Sequence, residues 1–147
     1  MINIIALKEF CETFISENPE LKHMHLIIET DIAAATKQAD KLTGDIIIAT
    51  YPDSDSDVGT VDDYGENNTA LIAILRKMNQ GNLSWGNKLD FYAEKQKQMR
   101  VLKKWILDNY SRFFQSSKPI FKTTFENQTI GTYDGISVDM TVTDDDL

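Results

Sequence analysis

The densest group of potentially reactive side chains in this 147-residue chain is Asp53-Ser54-Asp55-Ser56-Asp57, whose alternate carboxylates are hard oxygen ligands of the kind calcium takes. The spacing does not fit the helix-loop-helix calcium template. Its sixth position is Val58, where the sharp turn needs glycine, and its twelfth is Tyr64, where a bidentate glutamate belongs. A solvated acidic loop is the simpler reading. His23 and His25 stand two apart and would share a face on a strand, which suits metal ligation or proton exchange. With no other histidine and a single cysteine they do not complete a zinc set, and a surface pair is expected. Cys11 falls in an apolar-periodic segment without an adjoining activating group and reads as a small core residue. No serine has the flanking glycines of a nucleophile elbow, Ser84 included, and no glycine loop has phosphate-cradling spacing. The sequence therefore predicts no catalytic residue, no cofactor and no metal. Paired carboxylates in so acidic a chain leave a hydrolase open, though unsupported.

A formal charge of −8 argues against a module that grips nucleic acid, because affinity for phosphates comes from lysine and arginine releasing counterions. It is compatible with DNA passing close by without sticking. The length suits one domain, residues 1–147, that buries roughly two-thirds of the surface its unfolded chain exposes. Met1 to Phe10 lacks the basic start and sustained apolar run of a leader, and no stretch approaches the roughly 20 apolar residues of a membrane helix. No membrane partner is expected, and the chain should stay in the cytosol unless it leaves in a larger particle.

The elements that would position these residues follow from periodicity. Asn3 to Glu17 has helical apolar spacing at Ile4, Leu7, Cys11, Phe14 and Ile15, and Asn18-Pro19 stops it. Met24 to Thr30 suggests a short strand, Asp31 a helix cap, and Ile32 to Leu42 an alanine-rich helix ending near Gly44. Ile46-Ile47-Ile48 reads as a buried strand, followed by a mobile acidic loop over 53–68. Thr69 to Met78 is a further strand. Lys88 to Phe114 is a long helix whose stripe runs through Tyr92, Met99, Leu102, Trp105, Ile106, Tyr110 and Phe113. A closing hairpin is expected to turn at Asp134-Gly135, after which Ile136, Val138, Met140 and Val142 alternate with polar residues and face the helix. A short acidic tail ends the chain. The predicted class is α+β: an antiparallel or mixed sheet of about four strands packed against the long helix and the N-terminal one.

Surface patterning points to partners. Lys95, Lys97, Arg100, Lys103 and Lys104 form a basic band on the long helix of an otherwise acidic chain. The acidic loop, with Asp55, Asp57, Asp62 and Asp63, could meet that band on the next copy in head-to-tail assembly. The simpler alternative is that the lysines keep a helix face wet. Tyr64 and Trp85 lie in or beside loops, where large aromatics anchor interfaces, although Trp85 could equally cap the core.

The order of elements, with Ile47-Ile48-Ala49-Thr50-Tyr51-Pro52, the acidic loop, Ala70 to Leu75, one amphipathic helix and the hairpin around Tyr133-Asp134-Gly135-Ile136-Ser137-Val138, resembles the tail-terminator and tail-completion (neck) proteins of tailed bacteriophages and related contractile particles. The resemblance covers most of the chain but is one of order, without an invariant motif. It implies a non-enzymatic virion protein, assembled in the host cytoplasm as a homo-oligomeric ring against tail-tube or neck and connector proteins, with DNA passing through the lumen unbound. The Met24 to Thr43 segment is more helical than the simple pattern, which would suit another neck or connector position. Two alternatives from other classes remain: a small cytosolic α+β enzyme or ligand-binding domain with a pocket between helix and sheet, and an acidic inhibitor or immunity-type protein that blocks a basic partner.

Overall fold

The computed structural model describes residues 2–58, 64–78, 84–114, 116–130 and 132–144, with the side chains of these apart from 54–58, 64–66, 128, 129 and 144. Three helices start where a side chain can satisfy their first amides. Asn3 caps α1 (Ile4–Glu17), accepting from the Ile5 and Ala6 amides at 2.7 and 3.4 Å. Asp31 caps α2 (Ile32–Ala39) through the Ala34 amide at 2.8 Å, and Ser84 caps α3 (Trp85–Asn109) through the Asn87 amide at 3.2 Å.

The strands are β1 (His25–Glu29), β2 (Asp45–Thr50), β3 (Asp53–Val58), β4 (Tyr64–Lys77), β5 (Ile120–Ile130) and β6 (Tyr133–Asp144). They form one mixed sheet in the order β1-β2-β4-β6-β5, with β3 paired to β4 beyond the span that β2 covers. Only β1 and β2 are parallel, and α2 makes the crossover such a pair needs. The predicted α+β class holds, with six strands in place of about four.

The sheet is covered on both faces at its β1-β2 side. On one face α2 packs Ala35 and Ala39 over Ile27, Ile46, Ile48, Ala73 and Leu75. On the other, α1 and α3 cover Ile47, Ile72, Ile74 and the alternating Ile136, Val138, Met140 and Val142, as their period of two predicts. Phe10 joins the two helices, with ring centroids 5.2 Å from both Trp105 and Phe114 and 5.5 Å from Phe113.

Four expectations are corrected. The segment assigned to an acidic loop is mostly strand: Asp53 to Val58 pair with Thr69 to Tyr64, because a backbone ladder needs no side-chain complementarity, and only 59–63 lie outside the described residues. The closing hairpin reverses between Ile130 and Tyr133, not at Asp134-Gly135. Gly135 lies inside β6 for a different reason. A β-carbon there would stand 2.0 Å from the Ile74 carbonyl oxygen, so the close approach of β4 excludes any side chain. Finally, α3 begins at Trp85 rather than Lys88, and α2 ends at Ala39, well short of Gly44.

Candidate functional site

Buried charge is gathered at one end of the sheet. The register sets Asp45, Arg76, Asp134 and Asn127 side by side across β2, β4, β6 and β5, and the first turns of α3 lie over this row. The Asp45 carboxylate, 1 % exposed, takes three donors. Arg76 Nε and Lys95 Nζ reach Oδ1 at 2.6 and 2.8 Å, and His23 Nε2 stands 3.0 Å from Oδ2. Lys95, 0 % exposed, also donates to Gln98 Oε1 at 3.0 Å. The Phe91 ring lies 5.7 Å from the Arg76 guanidinium and 5.4 Å from the Lys95 ammonium. Burial would raise the Asp45 carboxyl, but the hydrogen bonds from Arg76, Lys95 and His23 outweigh it and hold the group well below the usual carboxylate range. Burial lowers Lys95 below an ordinary lysine, and the bond to Asp45 offsets part of that.

Further along the row, the Tyr92 hydroxyl donates to the Glu126 carbonyl at 2.9 Å and stands 3.4 Å from Asp134 Oδ1. Burial, then the Asp134 charge, pushes its pKa up to about 12. Ser137 donates to the Glu126 carboxylate at 2.6 Å. Asp134 Oδ2 is buried without a hydrogen-bond partner among the described residues. A cleft of about 430 Å³ opens beside the cluster, lined by Glu20, His23, Glu94, Lys97, Gln98 and Val101. With its oxygens already engaged, Asp45 is placed to fix α3 on the sheet rather than to take a proton from a bound molecule.

The residues predicted to form a partner surface divide sharply. Lys95 does not belong to an exposed band. It sits on the buried stripe with Phe91, Met99, Leu102 and Ile106, because Asp45 lies beneath it to neutralise its charge. Lys97, Arg100 and Lys104 are exposed, and none makes an ion pair among the described residues. Lys103 is half-buried, bonded to the Thr123 hydroxyl and 6.0 Å from the Phe121 ring centroid. Trp85 opens α3 with 79 % of its surface exposed, so it does not cap the core. Asp62 and Asp63 lie outside the described residues, as do the side chains of Asp55, Asp57 and Tyr64.

His25 is exposed at the start of β1, apart from the Asp45 contact that His23 makes. Cys11 is buried, and its thiol is pushed up to about 12 by that burial. Among the described residues, no three His, Cys, Asp or Glu are grouped so as to hold a metal ion. The cluster of Asp45, Arg76 and Lys95 escaped the sequence reading. Its signal was present: Lys95 interrupts an apolar stripe, and Asp45 opens a run of three isoleucines. Compared with protein-family models and with curated proteins, the chain matches none.

Proposed function

We propose that this chain is a structural assembly protein of the tail end or neck of a phage-like particle, acting by contact as a homo-oligomer. The observation that carries the reading is the outward face of α3, where Lys97, Arg100 and Lys104 stand exposed, without ion pairs among the described residues, on a chain whose net charge is −8. Unpaired cations on an acidic protein suit an acidic partner surface, and the strand pair β3-β4 carries Asp53, Asp55, Asp57 and Glu66. The same acidic balance suits DNA sliding past without binding. Of the features behind the terminator resemblance, the single long helix and the closing β5-β6 pair remain, while the acidic segment is largely strand.

Sedimentation at low and high salt, with negative-stain imaging of large species, tests the reading. The native chain should form salt-sensitive oligomers, and the double variant R100E/K104E should stay monomeric with an unchanged thermal midpoint. A native chain that remains monomeric at low salt, or a variant that assembles like the native one, defeats it.

A further inference from the structure

Among the described residues β1, β3 and β5 each pair on one side only, and the surroundings of β1 and β5 are complementary. These two strands end the path β1-β2-β4-β6-β5, from which β3 branches at β4. Seven large apolar side chains are exposed among the described residues, and six of them flank these two strands or the helix face beside them. Beside β1, Ile4 (44 % exposed) and Ile5 (60 %) form a mostly apolar groove of about 360 Å³ with Leu26, Ile28, Tyr51 and Lys8. Along β5 stand Ile120 (72 %) and Phe125 (56 %), the latter against Tyr92 at 5.8 Å. Trp85 and Leu89 precede Tyr92 by seven and three residues, which is helical spacing for one face. An exposed edge with apolar flanks is a surface that soluble proteins normally cover.

Strand direction and register then select the occupant. β1 runs with β2, against β4, with β6, and against β5. A second copy that continues the same sheet therefore sets its β1 antiparallel to β5 of the first. Leu26, Ile47, Ile74, Ile136 and Phe125 stand in one row across the sheet, and Ile28, Ala49, Ile72, Val138 and Thr123 in the next. Carried across the junction without stagger, those rows bring Phe125 to Leu26, a wall of the apolar groove, on the face that α1 and α3 cover. One residue further along, on the opposite face, Lys122 meets Glu29. Neither makes an ion pair in its own chain among the described residues.

We infer that β5 of one copy adds to β1 of the next by antiparallel strand pairing, with Phe125 seated in the Ile4-Ile5-Leu26-Ile28-Tyr51 groove and Lys122 opposite Glu29. The junction is heterologous, so each copy has one edge to give and one to receive, and repetition closes a ring or extends a filament. The inference rests on the assembly reading for its partner, a second copy, and adds a contact independent of the α3 band.

Inter-copy disulfide trapping with the full chain tests it. Directly opposed residues of antiparallel strands have Cα atoms about 4.5–5.5 Å apart, within the range a disulfide bridges. Oxidised E29C/K122C protein should run as a ladder of three or more covalently joined copies, while each single variant stays uncrosslinked. The buried Cys11 does not compete. Dimers from either single variant would mean like edges meet and would overturn the inference. Oligomers seen in the native chain without a ladder in the double variant would overturn it while leaving the assembly reading standing, and monomers throughout would defeat both. Independently, F125D should reduce native assembly at least tenfold, whereas L107D, at an exposed apolar residue that neither lines the groove nor stands on an edge strand, should not. An equal effect of the two substitutions would overturn the placement of Phe125.

Discussion

Lys95 and Lys104 stand nine residues apart on α3, two and a half helical turns, and so point to opposite sides of it. One is wholly buried over Asp45; the other is exposed without an ion pair among the described residues. The difference shows that a lysine's role on a helix depends on what lies beneath it. Where the sheet offers a carboxylate, the charge helps hold helix to sheet. Where nothing opposes it, the charge is available to a partner.

Removing the carboxylate breaks the inner half of this comparison most severely. Asp45→Ala leaves Lys95 buried without its counter-charge and should cost about 3–5 kcal/mol in urea unfolding. A loss under about 1 kcal/mol would mean that water reaches the cluster and that Lys95 is not held as described. Acid should act on the same contact more gradually. Asp45 has a depressed pKa in the folded protein, so its contribution is complete above the unfolded value of about 4 and fades as pH falls towards the folded one. The urea midpoint measured from pH 6 down to pH 2 should decline less in Asp45→Asn than in the native chain. Parallel declines would assign the acid sensitivity elsewhere.

Lys95→Met is milder. It keeps apolar volume on the buried stripe and leaves Asp45 with Arg76 and His23, so about 1–3 kcal/mol is expected. A double-mutant cycle with Asp45→Ala should show strong coupling between the two. At the small end, Lys104→Met should change stability by no more than about 0.5 kcal/mol, as an exposed substitution does. A comparable cost for Lys95→Met and Lys104→Met would erase the distinction between the two faces.

The regular parts of the fold were legible because their signals are local. Alternation in Ile136 to Val142 predicted both the strand and the face it buries, and Asn18-Pro19 marked the end of α1. The acidic run at Asp53 to Asp57 was misread because charge crowding describes side chains, while a strand is held by backbone groups that composition does not report. Asp134-Gly135 imitated a hairpin turn, but its glycine serves contact with β4, which is distant in sequence. Of the predicted interface residues, Arg100 and Lys104 are exposed on one helix face, while Lys95 is turned inward.

By itself the sequence determined the helices, the alternation of the last strand, the α+β class and the acidic balance. These depend on spacing within a dozen residues and on summed charge. Tertiary structure alone decided that Lys95 is neutralised by Asp45 fifty residues away, that Gly135 must be bare, and that β1 and β5 end the path of the sheet. Each of these is a relation between segments distant along the chain, and only the register of the folded sheet brings such segments together.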